Sequence, residues 1–496
     1  MFKFTLGLSL FLPLILLLLP SQKERVVAWV NMGIQLLLLA LFFTMLTNSE
    51  LCEFSFTLSE SLGLHYHLLI DEFNKYLILL TALIFPLVTY ASIDFIKTEK
   101  KLFHLMLALS YLLIVQTFLA QNLLFFYAFW ECSIVPMFFI IGIWGGGNRL
   151  LATYKFVLFT ALGSILMLAA ILFLVVANYK ISGVFTFELQ PLLRLQETLP
   201  LSAQRWAFLA FAFAFMIKIP VPPFHTWLPY AHVEAPAPGS MLLAAILLKM
   251  GAYGFIKFVL FLFPAVVEEW RLPLMAIFVL GALYGSALAF VQNDIKKIVA
   301  YSSIGHMGIL MLGLVTPSES AISGAMLSML GHGLTSAALF YSIGLLYERL
   351  HTRDLFHFGE LATTMPRFSL LFFLITLSAM AVPPTLGFAS EFFIFLGAIS
   401  YSLKMVITSN HYLFIAVSGA AMLTILLGTL YSLRLVKYLL WGKKSEASLL
   451  RAGVRDLNLG ECSVFTVLLL FIFVLGIYPQ FITESFKLAI KGLSIS

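Results

Sequence analysis

Cysteine and charge are both scarce in this chain, and each scarcity excludes a class of protein. Three cysteines, Cys52, Cys132 and Cys462, are too few for a disulfide framework and too scattered for an iron–sulfur cluster. Only 11% of the 496 residues are charged, whereas a typical soluble domain has about 25%. Because 61% of the residues are hydrophobic and the mean hydropathy is +1.00, the chain is not a soluble enzyme, a disordered protein or a fibrous one.

Long apolar stretches fill most of the sequence. A membrane-spanning helix needs about 20 mostly apolar residues, and about fourteen stretches meet this requirement. They lie at 2–20, 26–47, 75–96, 102–120, 122–143, 152–177, 206–231, 238–262, 272–292, 297–315, 322–348, 367–403, 411–438 and 463–482. The first could be a signal peptide, but no small-residue cleavage site follows it, so we expect it to remain as a span. The sequence therefore predicts an all-α polytopic membrane protein.

Basic residues predict the orientation of these spans. Connections with odd numbers, counted from the first, contain roughly fifteen Lys and Arg residues, whereas those with even numbers contain six. Lys443, Lys444 and Arg451 are among the fifteen. Since basic loops stay in the cytoplasm or its equivalent, we expect both termini on the opposite, periplasmic side. The net charge of +6 reflects this asymmetry, and we expect no nucleic-acid partner.

Two of the predicted spans contain a Pro-Pro pair, at Pro222-Pro223 and at Pro383-Pro384. Proline removes a backbone donor and clashes with the preceding turn, so neither helix can continue straight through. The two breaks fall in the seventh and twelfth spans, five crossings apart, which predicts two inverted repeats. Paired broken helices of this kind indicate a transport site, although two unrelated proline kinks remain an alternative.

These positions predict four segments. Residues 1–96 form three N-terminal spans, and 97–262 form a first five-helix repeat with the broken seventh helix. Residues 263–438 form a second repeat with the broken twelfth helix, and 439–496 form a loop and the fourteenth helix.

Several ionisable residues lie in the middle of apolar spans, where a charge costs about 2.5–3.5 kcal/mol on insertion scales. They are Glu131, Lys218, Lys249, His306, His332 and Glu391. Carboxylates and amines at one depth can neutralise each other in pairs, and such pairs make switchable proton sites. Histidine titrates near neutral pH and could connect the lysines to Glu391 through water.

Each of these residues also has a purely structural interpretation. Glu131 could make a packing hydrogen bond, and Glu391 could cap the second half-helix. The two mid-span lysines could extend to an interface, and the histidines could be ordinary packing residues. Lys155 and Lys257 lie nearer to span ends, and we expect both to extend to the membrane surface. No phosphate-binding loop or GxGxxG pattern is present, so no nucleotide site is expected.

Five separated strings carry a resemblance to a known family. They are YAFWECSIVPMFFIIGIWGG (127–146), KIPVPPFHTWLP (218–229), AHVEAPAPGSMLLAAILLKMGAYG (231–254), NDIKKIVAYSSIGHMG (293–308) and the second break that ends in SEFF (390–393). In this order they resemble the antiporter-like membrane subunits of respiratory complex I, over positions 65 to 440. The M-type (chain 4) members are the most similar, because the sister L-type and N-type chains usually have lysine at the position of Glu391.

The resemblance implies a role for each buried residue. Glu131 would pair with Lys218, the proton-loading lysine of the broken seventh span. Lys249 would be the bridging lysine of the eighth span and Glu391 the terminal carboxylate of the twelfth. His306, His332 and His225 would line the hydrophilic axis in support.

The same resemblance implies partners and cofactors. This chain would carry no cofactor and no metal, while NADH, flavin, iron–sulfur clusters and quinone would be bound by partner subunits. The partners would include the L-type and N-type chains and the lipid of a bacterial inner membrane, or of a mitochondrial inner or thylakoid membrane.

Two alternatives share most of these motifs. The chain could be a subunit of a multi-chain sodium/proton antiporter or of a membrane-bound hydrogenase. It could also be a structural membrane anchor without a proton path. Partner composition would distinguish the first from an NADH:quinone oxidoreductase, and charge-neutral substitutions would distinguish the second. A stand-alone solute transporter is a weaker alternative, because the sequence contains no signature of a substrate pocket.

Overall fold

The structure, a computed structural model, describes residues 1–20, 23–47, 52–442 and 455–491. Helices dominate these ranges, and the sheet within them is one antiparallel pair, β1 (Glu53–Ser59) and β2 (Leu64–Leu69). The basic residues Lys443, Lys444 and Arg451, which contributed to the predicted orientation, lie outside the described residues.

The helices of the first half are α1 (Phe2–Leu18), α2 (Glu24–Thr47), α3 (Lys75–Phe95), α4 (Lys100–Leu119), α5 (Leu123–Cys132), α6 (Ile134–Trp144), α7 (Arg149–Ser182), α8 (Leu189–Leu193), α9 (Leu195–Thr198), α10 (Leu201–Lys218), α11 (Trp227–Glu234), α12 (Ala237–Leu242), α13 (Leu248–Gly254) and α14 (Pro264–Glu269). Two π-helical segments, Leu243–Leu247 and Phe255–Leu260, flank α13.

The helices of the second half are α15 (Arg271–Val291), α16 (Ile295–Val315), α17 (Glu319–Leu350), α18 (Leu361–Thr364), α19 (Pro366–Ala379), α20 (Leu386–Ser409), α21 (Tyr412–Trp441), α22 (Leu459–Ile477) and α23 (Gln480–Lys491). A short 3₁₀ turn at Leu355–His357 precedes α18.

All fourteen predicted apolar stretches contain a helix. Among the described residues, twelve helices are long and apolar enough to cross a membrane. The apolar helices α1 and α19 are shorter, and the second Pro-Pro pair separates α19 from α20. The prediction of an all-α polytopic membrane protein is therefore confirmed.

Local side chains explain where several helices begin. The Asn122 side chain accepts hydrogen bonds from Leu124 N and Phe125 N at the start of α5, and Asp294 does the same for α16. Thr385 caps α20 through Phe388 N. The first backbone N–H groups of a helix have no partner within the helix, so these caps stabilise the termini where the chain leaves an irregular connection.

Both Pro-Pro pairs interrupt their helices as predicted. Helix α10 ends at Lys218, two residues before a positive φ at Pro220, and the next helix begins at Trp227. Helix α19 ends at Ala379, two residues before a positive φ at Ala381. Both Pro-Pro peptide bonds are cis. The two breaks therefore share one local backbone pattern in two different parts of the chain.

The chain divides into two compact units. Unit 1 contains residues 1–220, 234–239 and 246–270, and unit 2 contains 221–233, 240–245 and 271–496. Each unit has its own buried apolar core, with Phe126, Phe215 and Phe258 packed together in unit 1. Helices α15, α16, α17 and α20 form the core of unit 2.

Close packing in unit 2 depends on glycine at particular positions. A Cβ on Gly308 of α16 would lie 2.7 Å from the carbonyl oxygen of Phe278 and 2.8 Å from Ala282 N, both backbone atoms of α15. A Cβ on Gly419 of α21 would meet nothing within 4 Å. The two helical glycines therefore face opposite environments, one packed against a helix backbone and one in open space.

We expect Gly308→Ala to destabilise the protein by about 1–3 kcal/mol, because the added methyl forces α15 and α16 apart. The matched control, Gly419→Ala, should be neutral or slightly stabilising, because alanine is the better helix former. Thermal unfolding of both variants in detergent measures the difference. Equal unfolding temperatures would contradict the close packing of these helices.

The β-hairpin in the connection between α2 and α3 was not predicted from the sequence. His67 of β2 joins this hairpin to a distant connection, since its Nε2 lies 2.9 Å from Glu53 Oε1 and its Nδ1 lies 2.9 Å from Glu188 Oε2. Asn122 Nδ2 also donates to Glu188, at 3.1 Å. The hydrogen bond to Glu188 is the main cause that raises the pKa of His67 above its ordinary value, and Glu53 adds to it against the opposing effect of burial.

This raised pKa makes the stability of the hairpin depend on pH. Because the folded state binds the proton more tightly than the unfolded state, the stabilisation is fully present below about pH 6.5 and is lost as pH rises through the raised value. Amide hydrogen exchange of residues 53–69, corrected for intrinsic rates, should therefore accelerate over that window. His67→Gln should remove the acceleration, whereas His65→Gln, on the same strand, should keep it.

Candidate functional site

Lys218 occupies the last position of α10, immediately before the first helix break. The residue is 1% exposed, and its Nζ has no hydrogen-bond partner among the described residues. The amine instead faces two aromatic rings, with Nζ 5.0 Å from the centroid of Trp130 and 5.9 Å from that of Phe156. A ring face attracts a cation, most strongly where water is excluded, so these rings hold an amine that lacks a direct ion pair.

Glu131 lies on α5, one residue after Trp130, and α5 ends at the interruption around Ser133. Its carboxylate is near the Ser164 side chain and within electrostatic range of Lys218, but its Oε2 has no hydrogen-bond partner among the described residues. Both members of the predicted pair thus lie in unit 1, each with an atom that is not hydrogen-bonded.

Lys249 is fully buried on α13, the short α-helical turn between the two π-helical segments. A Cβ on the neighbouring Gly251 would lie 2.7 Å from Ile219 Cγ1 and 3.2 Å from Lys218 Cβ. Glycine at 251 therefore allows α13 to approach the helix break closely. Because π-helical turns are frequent at functional sites, their presence on both sides of Lys249 is notable.

The prediction that Lys257 extends to the membrane surface is wrong. Lys257 is 5% exposed, and its Nζ lies 3.0 Å from Asp71 Oδ2 and 2.8 Å from the hydroxyl of Tyr253. The sequence position near a span end suggested an interface. However, a carboxylate and a hydroxyl inside unit 1 satisfy the ammonium, so the side chain does not need to reach water.

In unit 2, Glu391 and His306 are in direct contact. The His306 Nδ1 lies 3.1 Å from Glu391 Oε1, and the Nε2 lies 3.1 Å from the hydroxyl of Tyr431. When His306 is neutral, Nδ1–H donates to the carboxylate and Nε2 accepts from the tyrosine. When a second proton arrives at Nε2, that nitrogen becomes a donor. The three side chains can therefore hold or release a proton if the Tyr431 hydroxyl turns its own hydrogen away from Nε2.

A cavity lined by several hydroxyl groups adjoins this triad within unit 2. The volume of the cavity is about 30 Å³, and one water needs about 10–15 Å³ on the same measure. Serine and threonine side chains line much of it, among them Ser302, Ser328 and Thr335, together with His306, His332 and Glu391. The cavity is thus large and polar enough for about two waters.

The other predicted histidines also lie in unit 2. The ring of His332 is 5.8 Å from that of His306, centroid to centroid. His225 is 6% exposed and packs edge-on against Tyr284 at 5.1 Å. The structure therefore brings His306, His332 and Glu391 to one cavity. His225 is not among the residues that line this cavity and packs against Tyr284 instead.

Three groups at these sites were not predicted from the sequence. Tyr431 contacts His306, Trp130 faces Lys218, and Asp71 pairs with Lys257. Tyrosine and tryptophan are common in apolar spans, so only the fold distinguishes these two from their neighbours. Asp71 lies just before α3. Only its pairing with a residue 186 positions away gives it significance.

The described residues include no group of three or more His, Cys, Asp or Glu side chains that could hold a metal ion. The arrangement consists instead of buried amines, carboxylates, a histidine and hydroxyls in an apolar helical protein. Such groups can accept, hold and donate protons.

Comparisons with known proteins place the chain in a class of membrane proteins. A profile described as "NADH:quinone oxidoreductase/Mrp antiporter, TM" matches residues 120–424, more than half of the chain. The chain therefore belongs to this family. It is 35% identical to the NADH-quinone oxidoreductase subunit M of Rickettsia typhi, over 99% of this chain and 98% of that protein.

Solved structures agree in fold. A chain of respiratory complex I from Thermus thermophilus superposes with a TM-score of 0.87 at 28% identity, covering 99% of both chains. A chain of the Mrp complex from Dietzia sp. superposes with a TM-score of 0.86 at 21% identity, covering 99% of this chain and 52% of that one. The second likeness shows the fold alone.

The contact between His306 and Tyr431 can be tested by stability. We expect Tyr431→Phe to destabilise the protein by about 1 kcal/mol, because one buried hydrogen bond is lost. A double-mutant cycle with His306→Gln should show coupling of about 0.5 kcal/mol or more between the two positions. Tyr412→Phe, at a tyrosine that is 64% exposed, is the control. Strictly additive effects would show that the two side chains do not interact.

Proposed function

We propose that the chain is the M-type (chain 4) subunit of a membrane-bound NADH:quinone oxidoreductase, and that it translocates protons when redox chemistry in other subunits drives it. The sequence likeness to subunit M over nearly the whole chain supports this assignment. The superposition on a chain of respiratory complex I also supports it.

The observation that carries the proposal is the buried amine of Lys218 at the helix break. A charge at this depth is expensive, yet Lys218 has no hydrogen-bond partner among the described residues, and Glu131 lies on the neighbouring helix. A nearby carboxylate stabilises the charged amine, and its withdrawal favours release of the proton. Lys218 and Glu131 would thus load and release a proton by moving together and apart.

The energies involved are of the right size. Two unit charges at 4 Å attract by about 4 kcal/mol at the effective dielectric of a protein. Moving one charge against a membrane potential of 100 mV costs about 2.3 kcal/mol. The free energy of forming or breaking one such ion pair is therefore larger than the work of moving one proton across a potential of 100 mV.

The triad in unit 2 would be the second proton-holding group. Glu391, His306 and Tyr431 present a carboxylate, an imidazole and a hydroxyl beside a cavity for water. Water in such a cavity can connect the triad to His332 by short proton transfers. Lys249 would be the bridging lysine of the eighth span, as the family resemblance implies.

We further propose that redox chemistry takes place in other subunits. NADH, flavin, iron–sulfur clusters and quinone would be bound there, and the L-type and N-type chains would be neighbours in the membrane. Both termini of this chain would face the periplasm or its equivalent, as the distribution of basic residues predicts.

A subunit of a sodium/proton antiporter or of a membrane-bound hydrogenase remains the second candidate, because the Mrp chain shares the fold. The composition of the purified complex separates the two. Flavin-binding and quinone-binding partners would support the oxidoreductase, whereas antiporter or hydrogenase chains would support the alternative.

Substitution of Lys218 tests the mechanism directly. We expect Lys218→Ala to abolish proton pumping driven by NADH in membrane vesicles while the complex still assembles, because no other group replaces the amine at the break. Lys404→Ala, at an exposed lysine on α20, is the matched control and should pump normally. A wild-type ratio of protons to electrons in Lys218→Ala would refute the mechanism.

A further inference from the structure

Unit 1 contains a second cluster of ionisable groups that the mechanism above does not use. Lys257 Nζ donates to Asp71 Oδ2 at 3.0 Å and to the Tyr253 hydroxyl at 2.8 Å. Tyr253 in turn donates to the carbonyl oxygen of Phe118 at 2.8 Å. Three side chains that can exchange protons are thus connected by direct hydrogen bonds inside one unit.

Backbone hydrogen bonds hold the Asp71 carboxylate in a fixed orientation. Its Oδ1 accepts from Phe73 N at 3.0 Å and from Asn74 N at 2.8 Å, at the start of α3. Asn74 is itself tied by its side chain to Leu69 O and Phe118 O. One carboxylate oxygen is therefore committed to the backbone, and the other is left for Lys257.

The cluster continues a line that begins at Lys249. Lys249, Tyr253 and Lys257 are spaced four residues apart, and residues with this spacing lie on one face of a helix. Lys249 and Tyr253 both belong to α13, whereas Lys257 lies in the π-helical segment that follows. The line therefore runs along a single helical stretch from a mid-span lysine to the end of the eighth predicted span.

Exposure increases along this line. Lys249 and Tyr253 are both 0% exposed, the Lys257 side chain is 7% exposed, and the Asp71 side chain is 25% exposed. Asp71 precedes the third span, and Lys257 is close to the end of the eighth. The connections at both places have even numbers, which the basic-residue count assigns to the periplasmic side.

We propose that Tyr253, Lys257 and Asp71 form a proton outlet, through which a proton held at Lys249 leaves unit 1 on the periplasmic side. This proposal rests on the proposed function and adds to it a route of release. Tyr253, Lys257 and Asp71 would each accept and donate the transferred proton. Asn74 only positions Asp71 through its backbone hydrogen bond.

The transfer balances in protons and needs no co-reactant. The Lys257 ammonium gives a proton to Asp71 Oδ2, and the carboxylic acid loses it to water at the surface. The Tyr253 hydroxyl then turns from Phe118 O to the neutral Lys257 amine and gives it the proton, and the phenol oxygen receives a proton from the Lys249 ammonium. The net change is one proton released to water and one neutral amine at Lys249.

A salt bridge with only a structural role is the alternative, and Lys257→Arg distinguishes the two. Arginine keeps the positive charge and can pair with Asp71, but it does not release its proton in proteins. The proposal predicts that complexes with Lys257→Arg assemble normally while proton pumping driven by NADH falls about tenfold or more. A structural salt bridge predicts wild-type pumping.

Two further variants guard against misfolding. Tyr253→Phe removes only the relay hydroxyl and should also slow pumping about tenfold. Lys75→Gln breaks the neighbouring ion pair with Glu72 on the first turn of α3, outside the outlet, and should pump at the wild-type rate. Assembly of every variant is measured by native gel electrophoresis of the solubilised complex.

The outcomes separate the outlet from the function on which it rests. Normal pumping by Lys257→Arg or by Tyr253→Phe, with pumping lost in Lys218→Ala, overturns the outlet and leaves the proposed function intact. Normal pumping by Lys218→Ala overturns the proposed function and the outlet with it. Slow pumping in both outlet variants, with normal Lys75→Gln, establishes the route.

Discussion

The cost of placing a charge in an apolar interior governs this protein more than any other constraint. Each buried ionisable side chain must be compensated locally, and the structure shows three different solutions. Lys257 has a carboxylate and a hydroxyl, His306 lies between a carboxylate and a phenol, and Lys218 faces two aromatic rings. In the first two solutions the charged group makes direct hydrogen bonds. The third leaves the amine without a hydrogen bond and within electrostatic range of the Glu131 carboxylate.

The helix breaks answer the same constraint for the backbone. Prolines at 222 and 223, and again at 383 and 384, end the hydrogen-bond ladder inside apolar sequence. Irregular backbone at membrane depth is tolerated only where protein or water satisfies it. In unit 2 the second break adjoins a cavity that Ser378, Ala379 and Gly387 help to line. In unit 1 the first break follows directly after Lys218. Buried ionisable side chains and irregular backbone therefore occur together, because both need hydrogen-bond partners that lipid does not provide.

Residue identity and spacing were enough to predict the helices, the two interruptions and the positions of most ionisable residues within the spans. Apolar length alone locates a span, and a Pro-Pro pair alone breaks one. The same evidence was insufficient for Lys257, whose position near a span end suggested contact with the membrane surface. Its environment is set by Asp71, which no local pattern connects to it. The β-hairpin and the π-helical segments on either side of Lys249 were also missed, because their signals are short and depend on packing.

Hydropathy and proline act locally along the chain, so they were enough to predict a polytopic membrane protein with two broken helices and a band of buried ionisable groups. Which of those groups touch follows from the packing of the helices. It placed Tyr431 against His306, Trp130 against Lys218 and Asp71 against Lys257. Contacts between residues far apart in the chain depend on how the helices pack, and packing is a property of the whole fold rather than of any one segment.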